Sequence, residues 1–389
     1  MLTFIRKFFS TLVQKLGRVT TGHNFIGEID GLRFLAILPV VFHHFSDRIF
    51  RITGINTPFE EKMSLTVANG HIGVYLFFAI SGFILSLPFG RHSINAGPEV
   101  SLKKYFIRRL TRLEPPYLLI MTFFFFVLII VKHQDFFELL PHYIASLFYA
   151  HRLIYGEWSP LNPPSWTLEV EIQFYILVPF LTIFYFSIKK LWARRSLLIG
   201  LMLAKILVHN LTTVLDGFDL TLPYVYEFFL VGILLADIYI VDWKDGVPRS
   251  KIFDYITVIS IITLFSTWTW EKNLTWKFVF IFSLFMTIYG CFRSIAINRF
   301  FRNPWISSIG GMCYSIYLIH LALAEFFTMA FRRIIELYDY PVAYFVGIIL
   351  FLPFLFFCSV IFFLMIEKPC MDANWPQKLS TRFKSVFAR

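Results

Sequence analysis

Long apolar runs separated by short polar stretches dominate the chain. Segments such as "YLLIMTFFFFVLIIV" and "YFVGIILFLPFLFFCSVIFFLMI" belong to stretches that reach the roughly 17–25 apolar residues a helix needs to cross a bilayer core. Ten such spans can be read, at about 31–50, 71–90, 115–133, 170–188, 196–213, 222–241, 252–270, 275–292, 312–331 and 341–366. An eleventh apolar patch, about 138–155, is short and broken by His142, His151 and Arg152. It predicts a re-entrant or interfacial element, sheltered by protein or lying at the surface. The opening "MLTFIRKFFSTLVQKLGR" places Phe4, Ile5, Phe8, Phe9, Leu12, Val13 and Leu16 opposite Arg6, Lys7, Gln14 and Lys15 at helical spacing. That is the pattern of an amphipathic helix on the membrane surface. Charges interrupt its apolar stretch, which argues against a cleaved signal peptide.

Charge orients these spans. With the N-terminus in the cytoplasm, inner segments carry 25 Lys and Arg against 9 on the outer side, as the positive-inside rule requires. A full span at 138–155 would move the basic "KKLWARR" outside and spoil that bias. The expected fold is an all-α polytopic membrane protein of about ten transmembrane helices plus a re-entrant or interfacial segment, both termini cytoplasmic. The expected division is a surface helix (1–20), a membrane domain (21–370) and a basic tail (371–389), with no soluble domain. Composition agrees: 57% of residues are hydrophobic and 16% charged, whereas soluble domains carry about 25% charged residues. The net charge of +11 sits at the ends of apolar segments rather than on one basic face, so nucleic acid is not an expected partner. Cys291, Cys313, Cys358 and Cys370 show no paired or metal-type spacing. They lie in helices or towards the cytoplasm, where disulfides are not expected, and no metal site is expected.

Ionisable groups inside spans cost roughly 2.5–3.5 kcal/mol each on insertion scales and are functional candidates by default. In "DGLRFLAILPVVFHHFSD", Arg33 and His44 are eleven residues apart. They share one helix face, about 16–17 Å apart along the axis, whereas His43 lies about 100° round. Asp30 is near the Arg33 face at the helix start, where a carboxylate suits the macrodipole. The bland alternative is an Arg33 that snorkels and a His44 that bonds a neighbouring helix. "YFIRRLTRLEPPY" places Arg108, Arg109 and Arg112 within one and a half turns, as ordinary membrane anchors or as a guanidinium cluster for a polyphosphate. "NPPSWTLEVEIQFYILVP" brings Glu169, Glu171 and Gln173 into the fourth span, with Glu171 and Tyr175 as i,i+4 neighbours. A carboxylate near a buried His could fix its tautomer and stabilise the imidazolium; the alternative is an interfacial carboxylate closing a helix N-terminus. Ser81–Gly82 in "FFAISGFIL" suits close helix packing. His320 in "YSIYLIH" is either a network member or a helix–helix hydrogen bond. Glu367 and Lys368 in "IEKP" are expected at the membrane interface.

Taken together and in this order, "DGLRFLAILPVVFHH", "FFAISGFIL", "RRLTRLEPPY", "SWTLEVEIQFYILVP", "YSIYLIH" and "EKP" resemble the acyltransferase family 3 of bacterial integral-membrane acyltransferases. The matching stretches extend from Asp30 to Pro369. The resemblance implies a ten-helix fold in the bacterial inner (cytoplasmic) membrane that moves an acyl group, usually acetyl, from cytoplasmic acyl-CoA to a hydroxyl. Acceptors are commonly surface glycans or their lipid-linked precursors. The family's Arg-x10-His motif falls on Arg33 and His44, its Arg-x-x-Arg motif on Arg109 and Arg112, and its Trp-Ser-Leu-x-Val-Glu stretch on Trp166 to Glu171. Thr167 replaces the usual Ser, and Ile172 stands where a second Glu often follows, which leaves Glu171 as the main acidic candidate. The chain stops about twenty residues past its last span, so the expected type is the stand-alone one without a hydrolase-like domain.

The implied roles follow. Acetyl-CoA is the co-substrate, its phosphates near Arg109 and Arg112 with Arg33 close by. His44 takes the acceptor proton. Glu171 orients it, with Asp47 as rival, and Asp30, Ser81, Trp166, Tyr175 and His320 support the site. Two alternatives stand beside this: the same chemistry on a small lipophilic acceptor such as a macrolide, or a transporter whose buried His and Glu relay protons. Inverted repeats and paired broken helices would favour transport, and the sequence shows neither.

Overall fold

The structure, a computed structural model, describes residues 15–17, 26–212, 214, 220–267, 273–372, 375 and 377. Every element among them is helical. The expected surface helix and basic tail lie almost wholly outside the described residues. The ten expected spans each fall on a helix: α1 (Gly27–Thr53), α2 (Gly73–Asn95), α3 (Leu102–Ile130), α4 (Trp166–Ser187), α5 (Leu191–Leu211), α6 (Leu222–Val241), α7 (Ile252–Ser266), α8 (Leu274–Arg293), α9 (Cys313–Ala330) and α10 (Tyr340–Phe362). Eight of them are long and apolar enough to cross a membrane. The exceptions are α5, whose Arg194, Arg195 and Lys205 dilute its hydropathy, and α7, which has only 15 residues.

The broken patch after α3 forms two short helices, Phe136–Leu147 and His151–Tyr155. Twelve residues of helix rise about 18 Å, too little to span. Their polar atoms are met by protein. Tyr117 on α3 donates to the Ser146 carbonyl at 2.7 Å, Glu169 on α4 accepts from the Arg152 amide at 2.8 Å, and His142 Nδ1 meets His151 Nε2 at 2.9 Å. Burial and the neighbouring His142 hold the His151 imidazole below its ordinary pKa.

The α1 helix lies between two hydrophobic cores. Ile29, Leu32 and Ala36 pack into one, built largely from α2, α4, α6 and α8. Ile37, Val41, Phe45 and Ile49 pack into the other, built from α3, α9 and α10. In the first core, α2 and α6 approach backbone to backbone. A Cβ on Gly82 would overlap the Phe229 carbonyl, and one on Gly232 would overlap the Ala79 carbonyl, so both crossing points need glycine.

Charges that look misplaced in the sequence are paired in the bundle. Lys205 on α5 meets Glu227 on α6 at 2.5 Å, both nearly inaccessible. Asp237 on α6 takes Arg194 in a fork at 2.7 and 2.9 Å and the Tyr185 hydroxyl at 2.7 Å. Removing either partner would leave an uncompensated buried charge.

Candidate functional site

Where the two cores part, a cleft of about 890 Å³, counted with the solvent space at its mouth, opens along α1. Its walls come from five helices: Arg33 and Val40 on α1, Ser81 on α2, Arg109 and Arg112 on α3, Glu171 and Tyr175 on α4, and Tyr317 on α9 are among the lining residues. Helical phase splits the sequence's arginine cluster, for Arg109 and Arg112, three apart, face the cleft while Arg108 is exposed.

The three cleft arginines are held differently. Arg33 donates to the buried Asp30 at 2.5 Å, one turn back on the same face. The Arg109 guanidinium lies 5.4 Å from the Tyr175 ring centroid and 5.8 Å from that of Tyr105, a cation–π arrangement that leaves its N–H edge open. Arg112 Nη2 stands 3.8 Å from Glu367 Oε1, and Arg112 Nε is buried without an acceptor among the described residues. Glu367 departs from the expected interfacial position. It is fully buried and accepts from the Ser315 amide at 3.0 Å and the Ser315 hydroxyl at 2.5 Å. The reason is tertiary: the chain after α10 continues as a π-turn, Phe363–Glu367, which carries this carboxylate against α3 and α9. Lys368, next along, is half-buried and donates to the Lys15 carbonyl.

Glu171 accepts from Ser81 at 2.7 Å and from the Tyr175 hydroxyl. Ser81 and Gly82 therefore divide their work, one bonding α4 and the other letting α6 approach. Trp166 stands behind the cleft wall, its ring edge-on to Phe78 with 6.1 Å between centroids, and Phe78 lines the cleft. Thr167, at the family's Ser position, donates to the Tyr317 hydroxyl at 2.8 Å, and Tyr317 in turn donates to the Pro164 carbonyl.

Val40 and Tyr317 mark the far end of the cleft, and one turn beyond them stand two histidines. Val40 is four residues before His44, and Tyr317 three before His320. The His44 and His320 rings are 5.1 Å apart between centroids. On the other side, His44 lies 4.8 Å from His43, which lies 6.0 Å from His71. Asp47 is engaged by Arg48 at 2.5 Å and Arg51 at 3.0 Å.

Comparison with known proteins identifies this architecture. The family model described as Acyltransferase domain, acyltransferase family 3, matches residues 26–367. The chain belongs to this family. Matching relatives include "Putative O-acetyltransferase SACOL0978" of Staphylococcus aureus (strain COL), 26% identical over 334 residues, which are 78% of this chain and 51% of the relative. "O-acetyltransferase OatA" of Staphylococcus aureus (strain NCTC 8325 / PS 47) is 24% identical over 333 residues, 78% of this chain and 51% of the relative. "Putative peptidoglycan O-acetyltransferase YrhL" of Bacillus subtilis (strain 168) is 30% identical over 198 residues, 47% of this chain and 28% of the relative. The chain thus spans about half the length of the first curated relatives it matches. No solved structure matches it.

For this acyltransferase-family chain, the cleft brings together Arg33, Arg109, Arg112, Ser81, Glu171 and Tyr175, six of the residues singled out in the sequence, with Asp30 tied to Arg33. His44 and His320 pair beyond its end. Sequence reasoning passed over Tyr317 and His71, and it set at the interface the Glu367 that the structure buries. Tyr317 had a signal, standing three residues before His320 within the same quoted stretch. His71 had none, because a lone His at the start of a span reads as an interfacial residue. Among the described residues no group of His, Cys, Asp and Glu is arranged to hold a metal.

Proposed function

We propose that the chain is a multi-pass acyltransferase of the bacterial cytoplasmic membrane that moves an acyl group, acetyl in the first instance, from acyl-CoA to a glycan hydroxyl. The acceptor is a cell-surface polysaccharide or its lipid-linked precursor; one matching relative carries peptidoglycan in its name. The observation that carries this reading is the polarity of the cleft. Guanidiniums with unused donors, Arg109 and Arg112 on α3, stand at one end, and the α1 face that carries Arg33 leads past Val40 to His44. Arginine is suited to phosphate oxygens, and a pantetheine arm is long enough to reach from a phosphate site towards an imidazole about 16–17 Å away along a helix.

His44 takes the proton of the acceptor hydroxyl as its oxygen attacks the thioester carbonyl. The C–S bond breaks as the new C–O bond is completed, and the CoA thiolate recovers the proton from the His44 imidazolium. Glu171 and Tyr175, bonded to each other and to Ser81 beside the arginines, brace the donor end of the cleft.

The decisive experiment measures release of free CoA thiol from acetyl-CoA by purified protein, with and without cell-envelope acceptor fractions. Acceptor-dependent release is expected, with His44→Ala abolishing it while the protein stays folded. Absence of release with every acceptor fraction would overturn the reading in favour of transport, and full activity of the His44→Ala variant would remove His44 as the base.

A further inference from the structure

The two imidazoles beyond the cleft are not equivalent. His320 is 1% exposed, and its Nδ1 lies 2.7 Å from the Tyr317 carbonyl oxygen and 3.2 Å from that of Ile316. A carbonyl oxygen only accepts, so Nδ1 carries the hydrogen, and in a neutral imidazole the other nitrogen is then an acceptor. That atom, His320 Nε2, is buried and has no hydrogen-bond partner among the described residues. A buried acceptor without a donor is costly. The nearer of the two rings in contact with it is His44, at 5.1 Å, with Tyr317 at 6.2 Å. The His142–His151 pair shows what this spacing permits, since its centroids are also 5.1 Å apart and its facing nitrogens are hydrogen-bonded at 2.9 Å.

The carboxylates that could otherwise orient His44 are occupied. Glu171 holds Ser81 and Tyr175, and Asp47 holds Arg48 and Arg51. We propose that His320 is the positioning residue of the transfer site: its Nε2 accepts a hydrogen bond from one ring N–H of His44, which leaves the other His44 nitrogen as the free base. The inference rests on the reading of His44 as the base. It makes the orienting group a neutral imidazole whose tautomer is set by the backbone of α9, so the frame of that helix governs the chemistry on α1.

The test uses full-length protein with 15N-labelled histidine, its ten imidazoles assigned through single His→Gln variants. The expected spectra show His320 protonated on Nδ1 and His44 in a single tautomer. In His320→Leu, His44 should become an average of both tautomers. In His320→Gln, whose amide oxygen can stand where Nε2 was, the single tautomer should return. Kinetically, His320→Leu should lower kcat about 100-fold with the KM for acetyl-CoA unchanged within about twofold, and His320→Gln should recover most of the loss. If His320→Leu does not fold, His44→Gln serves instead, and it should move the His320 Nε2 resonance. Protonation of His320 on Nε2, or His44 resonances identical in wild type and His320→Leu, would overturn the proposal. These spectra are read without turnover, so a protein inactive towards every acceptor would fail the proposed function and still decide this pairing.

Discussion

Thr167 donates a hydrogen bond into the layer that separates the cleft from the imidazole pair, and its partner Tyr317 passes the chain of bonds on to the Pro164 carbonyl. Serine offers the same hydroxyl, so Thr167→Ser should leave transfer and thermal stability close to wild type. Thr167→Val should cost about 1 kcal/mol, read as a lower midpoint of thermal unfolding. Arg109 is held by ring faces rather than by a carboxylate. Arg109→Ala should therefore remove donor contacts without exposing a buried charge. A charged hydrogen bond contributes about 1.5–3 kcal/mol, so the KM for acetyl-CoA should rise about tenfold or more while kcat changes little. An equal fall in kcat would place Arg109 in the chemical step instead. At this scale the sequence showed phase well. Arg33, Arg109 and Arg112 all line the cleft while Arg108 is exposed, and His44, eleven residues on from Arg33, stands beyond its end against His320. Burial depth was not readable, and Glu367 is the instance: a carboxylate at the end of an apolar run looks interfacial until the π-turn carries it inward.

The ten expected spans all proved helical because their apolar runs are long, while their ends moved by several residues wherever polar turns continued the helix. On α2, Ser81 and Gly82 are neighbours in sequence and point about 100° apart, one towards Glu171 on α4 and the other towards the α6 backbone. Gly82→Leu should push α2 from α6 and cost about 1–3 kcal/mol, the ordinary range for overpacking, with loss of transfer because the same helix carries Ser81. The measurement is thermal unfolding of the purified variant beside that of Ser81→Ala, which should stay close to wild type in stability. The broken patch after α3 forms two helices of 12 and 5 residues, and their hydrogen bonds to α3 and α4 hold them against the bundle.

For the molecule as a whole, the ten-span reading places 91–114 and 189–195 on the side opposite to 48–62. With the native cysteines replaced, Lys104→Cys and Lys190→Cys should react with a membrane-impermeant thiol reagent only after cells are opened. Lys62→Cys and Lys132→Cys should react in intact cells. All four positions are exposed, so equal labelling of Lys62→Cys and Lys190→Cys would break the ten-span order. The α5 helix is the span most in need of this test, because its basic residues keep it out of the eight apolar helices and it is held in the bundle by the Lys205–Glu227 and Arg194–Asp237 pairs.

By itself the sequence determined the helical class, where the apolar helices fall and the order of the motifs, each of which is carried by residues within a few turns of one another. The tertiary structure alone decided which groups meet. His44 faces His320, Glu171 turns to Ser81, and Glu367 reaches Arg112, each across helices distant in the chain. The physical reason is that helical phase is a local property of the backbone, whereas a partner across the bundle depends on how five helices pack around one cleft.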